Sequence, residues 1–236
     1  MKQNRFIFCA LNLCAATWLT CLTGQGSIAF AQTGAGRETT LSVVTPAIQP
    51  TSTTGDANRA AAKSSSFELL RDADIVLFRH ANAPGFGDPP GFKLDDCASQ
   101  RNLDAVGREQ AKALGQAIKA TGVQVAVVWT SQWCRARETA QLLNLSVVRD
   151  MAAFNSFFGE MRSEDAQTKS ARARLLNAKQ ATSKKGLLIA VTHQVNIQAL
   201  TGISPAAGEG VALKVRKATS GARGNDTLEV IGRVAL

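Results

Sequence analysis

Two apolar runs in this chain end in the same way. Ile75-Val76-Leu77-Phe78 leads into Arg79-His80-Ala81, and Leu187-Leu188-Ile189-Ala190-Val191 leads into Thr192-His193-Gln194. Short unbroken apolar runs fit strands that are covered on both faces, the situation of a parallel sheet flanked by helices. In an open α/β sheet, ligands bind just beyond the carboxyl ends of the strands. The chain has two histidines, and this pattern delivers both to that edge. Imidazole suits a nucleophile or proton carrier near neutral pH because its ordinary pKa lies there.

The intervening sequence alternates strands and helices. Strands are expected at Ala73–Phe78, Val125–Thr130, Leu145–Val148, Leu187–Thr192, Val211–Val215 and Leu228–Val234. A helix is expected to start after Asp104 as N-cap, with Val106, Gln110, Leu114 and Ile118 as its apolar-side positions and Gly122 near its end. Further helices are expected over Gln132–Leu143, Glu164–Ala181 and Gln194–Leu200. Ala81–Asn102 reads as a long loop rich in Gly and Pro, and long loops in compact domains are usually functional or disordered. This order predicts an α/β fold, a three-layer α/β/α sandwich on a mostly parallel central sheet.

The first part of the chain has a different character. Residues 1–31 join a basic start (Lys2, Arg5), an apolar stretch from Phe6 to Leu22 and a small-residue end at Ala29-Phe30-Ala31. That is the layout of a cleavable signal peptide, and polar Asn12, Thr17 and Thr20 make it a poor membrane span. Residues 32–66, dominated by Thr, Ser, Ala and Gly, lack the apolar groups needed to fold alone and read as a flexible linker. Residues 67–236 are then one domain, exported to the periplasm of a Gram-negative cell or secreted from another. No transmembrane span is expected after cleavage.

The net charge is +9, or +7 without Lys2 and Arg5. A positive field favours anionic substrates or anionic membrane surfaces. There are no tyrosines, and no aromatic stacking motif lies among the basic residues, so a specific nucleic-acid partner is not indicated. Without the signal, Cys97 and Cys134 remain. In an exported protein they are candidates for one disulfide, provided the fold brings their Cα atoms close. With His80 and His193 they are also a conceivable zinc set. Their spacing contains neither C-x-x-C nor H-x-x-x-H, and Arg79 beside His80 repels a cation.

Ser131-Gln132-Trp133-Cys134-Arg135-Ala136-Arg137-Glu138-Thr139-Ala140 follows the second strand and opens a helix. Together with Arg79-His80, with Val191-Thr192-His193, and with Asn102-Leu103, Gly107 and Gln110-Ala111 at the start of the first helix, this order resembles the histidine phosphatase superfamily, which has the phosphoglycerate mutase-like fold. The resemblance covers most of residues 73–213. It implies that His80 is a nucleophile forming a phosphohistidine, that Arg79 and Arg135 clamp phosphoryl oxygens, and that His193 contacts the transferring group. Chemistry agrees: a guanidinium offers a planar fork of donors matched to phosphate, and a covalent intermediate divides one hard displacement into two easier ones.

The general acid departs from the family pattern. Many members carry a glutamate after the third strand, where this chain has Asn155. Glu160 and Glu209 are the alternatives. Arg101 and Asn102 are candidates for binding the substrate. Phe157, Phe158 and Trp133 are expected mainly to pack, and Gln194 and Asn196 to follow His193 on its helix.

The expected activity is hydrolysis of a phosphomonoester, small or membrane-associated, with no metal or other cofactor and with the oligomeric state left open. The competing readings are a catalytically impaired anion-binding protein on the same fold and the zinc-binding module. A mutase fits an exported domain poorly. Arg79→Ala and Arg135→Ala are each expected to lower turnover at least about a hundredfold, the scale for removing a preorganised anion donor. Near-normal steady-state turnover of both purified variants excludes these roles.

Overall fold

The computed structural model describes residues 66–181, 186–218 and 226–236. The expected signal peptide (residues 1–31) and all of the expected linker (32–66) except Ser66 lie outside the described residues. Ser66 itself donates from its hydroxyl to the Ala235 carbonyl, 3.2 Å away.

The strands are β1 (Ile75–Arg79), β2 (Val125–Thr130), β3 (Val148–Asp150), β4 (Leu187–Thr192), β5 (Gly210–Arg216) and β6 (Thr227–Val234). They form one mixed sheet in the order β3-β2-β4-β1-β5-β6. The first four in that order are parallel, and β5 and β6 close the sheet with antiparallel pairings. The two apolar runs thus become the central neighbours β1 and β4. Every residue of β4 is buried, and so are the first four of β1.

Side chains of a strand alternate between faces, and the two helical layers divide them accordingly. On one face Val76, Phe78, Ile189 and Val191 pack in one core with Leu114 and Ile118 of helix α1 (Ala105–Ala120) and Ala136 and Ala140 of α2 (Cys134–Leu143). On the other, Ile75, Leu77, Leu188 and Ala190 pack with Leu175 of α3 (Glu164–Ala181) and Ile197 and Leu200 of α4 (Gln194–Thr201). The chain is therefore a three-layer α/β/α sandwich, as expected.

Two local expectations need correction. The buried stripe of α1 is Gly107, Ala111, Leu114, Gly115 and Ile118, while Val106 points to solvent. The stripe is displaced because small residues, not large ones, face the loop after β1. A Cβ on Gly107 would stand 2.0 Å from the Asn82 carbonyl oxygen. Strand β3 starts at Val148 rather than ending there. It pairs with the last three residues of β2, so its position is set by the sheet edge rather than by its own apolar content.

Asp104 caps α1 as expected, accepting from Gly107 N at 2.6 Å. Asn144, in the left-handed region (φ 48°), ends α2. A Cβ on Gly115 would stand 2.2 Å from the Leu143 carbonyl oxygen, so α1 and the end of α2 touch through backbone. Gly115→Ala is expected to cost about 3 kcal/mol through overpacking, whereas Gly159→Ala, with nothing within 4 Å of the added Cβ, should stay within about 0.5 kcal/mol of the parent. Urea unfolding of the two variants checks this, and equal stabilities contradict the close approach.

Candidate active site

Strand register brings the histidines together. In the β1–β4 ladder Arg79 faces Thr192, so the next residues, His80 and His193, leave the sheet side by side. The His80 amide donates to the Thr192 carbonyl at 3.0 Å. The two rings meet edge to face with centroids 5.4 Å apart. Strand β2 ends at the same level, where the Ser131 amide donates to the Val191 carbonyl and Ser131 Oγ lies 2.8 Å from His193 Nε2. Helix α2 then opens at this edge and carries Arg135 into it.

The His80 ring is held by both nitrogens. Nδ1 lies 2.8 Å from the carbonyl oxygen of Ala81, a pure acceptor. The proton therefore sits on Nδ1, and Nε2 keeps its lone pair. Arg135 Nε donates to that Nε2 at 3.2 Å. Burial, with added repulsion from Arg135, Arg79 and Arg101, pushes the His80 pKa down to about 3 even though the Ala81 contact opposes it. His193 is lowered well below its ordinary value by burial first, then by His80 and the same arginines. Both imidazoles are neutral at working pH.

Arg135 is nearly inaccessible, its side chain 4% exposed, and it forms a two-pronged pair with Asp88: Nη1 to Oδ1 at 2.7 Å and Nη2 to Oδ2 at 3.1 Å. Asp88 also accepts from Trp133 Nε1 at 3.0 Å and from the Arg101 amide at 3.1 Å. Burial pushes the Asp88 carboxyl up, but the hydrogen bonds and charge of Arg135 outweigh it and hold the pKa below its ordinary value. Arg79 donates to the Pro205 carbonyl through Nη1, while its Nε is buried with no hydrogen-bond partner among the described residues. Arg101 is gripped by the Gly87 and Ala83 carbonyls. Burial lowers the pKa of all three arginines, yet guanidinium stays charged in proteins.

These groups share one cavity of about 490 Å³, lined by Arg79, His80, Asp88, Arg101, Arg135 and His193 at its cationic end, and by Phe86, Phe158 and Glu160 among others beyond it. Asn102 and Glu209 are not in its lining. The Asn102 side chain donates to the Cys97 and Gln100 carbonyls. The Glu209 carboxylate accepts from the Ala206 amide and from Arg233. Glu160 lines the cavity at its open side, 61% exposed and ion-paired with Arg162. Asn155 brackets Gln132, accepting from its amide and donating to its side chain.

Phe157 and Trp133 pack in the core as expected, Trp133 also lining the cavity, whereas Phe158 is exposed at the cavity rather than packed. Gln194 lines it, whereas Asn196 donates to the Asn155 carbonyl. Cys97 and Cys134 are joined as a disulfide with Cα atoms 5.6 Å apart, so they offer no thiolates to a metal. Among the described residues no group of three His, Cys, Asp or Glu is arranged to hold one. Sequence reasoning missed Asp88. Its one signal was an acid within a long loop that follows a histidine-bearing strand.

A family model described as histidine phosphatase superfamily (branch 1) matches residues 75–155, the stretch carrying Arg79, His80 and Arg135. Among solved structures, a mycobacterial glucosyl-3-phosphoglycerate phosphatase, in complex with VO3, is 13% identical; the match covers 69% of this chain and 98% of that one, with a TM-score of 0.52. A protein described as mycobacterial hydrolase 1 is also 13% identical, covering 68% of this chain and 98% of its own, with a TM-score of 0.51. At that identity the likeness is one of fold. No curated protein matches the chain by sequence. The family match and the shared fold bear out the resemblance to the histidine phosphatase superfamily.

The neutral imidazoles carry a stability consequence. The unfolded chain protonates His80 near pH 6.5, whereas the folded site does so near 3. Between these values the unfolded state binds more protons, so this contribution is full above pH 6.5 and lost as pH falls. Lowering the pH from about 7 to 5 should cost about 2 kcal/mol through His80. His80→Gln should remove that share of the slope in urea unfolding at the two pH values. An unchanged slope contradicts the buried neutral imidazole.

Proposed function

We propose that this protein is an exported phosphatase that hydrolyses a phosphomonoester through a phosphohistidine on His80. The observation that carries the reading is the state of His80: a neutral ring with its proton tied to Ala81 and an unprotonated Nε2, which accepts from Arg135, in a residue lining a cavity that holds three guanidinium groups. The buried Nε–H of Arg79, without a hydrogen-bond partner among the described residues, supports it further. Such a donor is costly to leave unmet, and a phosphoryl oxygen is its natural acceptor.

In the first step Arg135 Nε–H shifts its hydrogen bond from His80 Nε2 to a phosphoryl oxygen, and the freed Nε2 lone pair attacks phosphorus. A P–N bond forms as the P–O bond to the leaving group breaks, and the leaving oxygen departs with the bonding pair. Nδ1–H keeps its hydrogen bond to Ala81, so the ring does not rotate. Arg79, Arg101 and Arg135 neutralise the charge spread over the equatorial oxygens, the main service a protein gives to phosphoryl transfer. His193, also neutral, adds no full charge and borders the transferring group. In the second step water attacks phosphorus, the P–N pair returns to Nε2, and the proton of the water passes to solvent. No cofactor enters either step.

Export rests on the signal-like residues 1–31. The Cys97–Cys134 bond supports it, because disulfides persist in oxidising compartments. The substrate would be a small or membrane-associated phosphorylated molecule.

Incubation of the mature protein with phenyl phosphate, followed by rapid denaturation, should trap an acid-labile, base-stable phosphoenzyme. His80→Ala should abolish it and lower turnover at least about a thousandfold, as losses of a catalytic nucleophile do. Tight phosphate binding without turnover or phosphoenzyme would favour the impaired anion-binding protein instead.

A further inference from the structure

Above its cationic floor the cavity turns apolar. Gly85 and Gly87 both adopt positive φ (91° and 67°), conformations that glycine takes without penalty. The turn they make holds Phe86 out in solvent, 87% exposed. Its ring meets that of Phe158, itself 44% exposed, edge to face with centroids 4.9 Å apart. Phe92 and Val195 extend the same lining. Two exposed phenyl rings paired at the mouth of a charged cavity are apolar surface left available to a ligand. Aromatic faces favour offset or edge contacts with other rings.

A second observation concerns the leaving group. Among the described lining residues the carboxylates are Asp88 and Glu160. Both Asp88 oxygens are engaged by Arg135, and Glu160 is turned to solvent and Arg162. Neither presents a buried carboxylic acid to the departing oxygen. A phenolate, whose conjugate acid has a pKa of about 10, can leave without a proton. An alkoxide is far more basic and cannot leave readily without one.

We infer that the preferred substrates are aryl phosphomonoesters, with the ring of the leaving group seated against Phe86 and Phe158. The inference rests on the phosphatase reading above and adds the substrate class to it. In the transfer the phenolate departs with the P–O pair and takes its proton from water. Free aryl phosphates and phosphotyrosine side chains share this chemistry.

The test is a kinetic series on the mature protein: phenyl phosphate, naphthyl phosphate, a phosphotyrosine peptide and cyclohexyl phosphate, with phosphoenzyme trapping in parallel. The aryl esters should exceed cyclohexyl phosphate in kcat/KM by at least about a hundredfold, the range a missing general acid leaves uncorrected. Naphthyl should exceed phenyl phosphate about tenfold, mainly through KM, as added apolar contact does. Phe86→Ala and Phe158→Ala should each raise KM for naphthyl phosphate several-fold while altering its kcat much less, and Phe86→Leu should restore part of the loss. A peptide turned over faster than the free esters identifies a protein source for the substrate, and the reverse identifies a small-molecule source; both support the class. Phosphoenzyme formation with cyclohexyl phosphate turned over as fast as phenyl phosphate overturns this inference and leaves the phosphatase standing. No turnover of any ester and no phosphoenzyme removes both.

Discussion

The paired hydrogen bonds between Asp88 and Arg135 hold the site in its working form. Arg135 is a buried cation, and without a partner its burial would cost several kcal/mol. Asp88 removes that cost and also fixes the guanidinium plane. With both terminal nitrogens committed to the carboxylate, the remaining Nε–H points at His80 Nε2. The loop between β1 and α1 is folded around this requirement. Trp133 and the Arg101 amide hold Asp88. Gln100 accepts from the Cys134 amide, and the Cys97–Cys134 bond ties the same loop to the first residue of α2, next to Arg135. One long segment, whose regular structure is limited to a short 3-10 turn at Cys97–Ser99, is thereby fastened to a helix N-terminus at several points, which is how it can position charged groups.

The sheet supplies the other half of the geometry. Three adjacent parallel strands end at one level, and each releases a polar residue there: His80 after β1, Ser131 after β2 and His193 after β4. The backbone at these ends stays in register through the His80–Thr192 and Ser131–Val191 hydrogen bonds. The imidazoles are therefore positioned by the most deeply buried strands of the molecule rather than by flexible loops. In the proposed reaction the arginines would concentrate positive charge where the phosphoryl group gains it, and the same charge helps keep both rings neutral.

Much of this was legible from residues alone, and the physical reasons are specific. His80, Arg79 and His193 follow unbroken apolar runs, so strand ends could be located and the ligand edge inferred. Arg135 was found because its segment follows a strand and opens a helix within a motif order that resembles a family. The helix boundaries came out well where caps were chemical, as at Asp104. The stripe of α1 is hard to read because Gly107 and Gly115 make close backbone contacts, and Ala111 a small buried one, that a search for large apolar residues passes over. Asp88 was invisible for a different reason: its partner lies 47 residues away, and nothing local in a Gly- and Pro-rich loop predicts which acid will turn inward. Glu209 and Asn102 looked useful by position in the chain, yet their side chains are spent on Arg233 and on backbone carbonyls. Phe86 carries no signal, and Phe158 reads as a packing residue, because an exposed aromatic pair is recognised only once its neighbours are known.

The central claim is that the fold presents His80 as a neutral ring with an unprotonated Nε2 under a guanidinium held by Asp88. Imidazole nitrogen NMR on labelled protein, recorded from about pH 5 to 9 across the ordinary histidine range, tests it without any substrate. The account predicts a resonance for His80 Nε2 of the unprotonated type, a protonated Nδ1, and no titration across that range. In Asp88→Asn, freed from the ion pair, the Nε2 resonance should shift as Arg135 loses its fixed orientation. A His80 ring that titrates near pH 6.5, or that carries its proton on Nε2, would contradict the account.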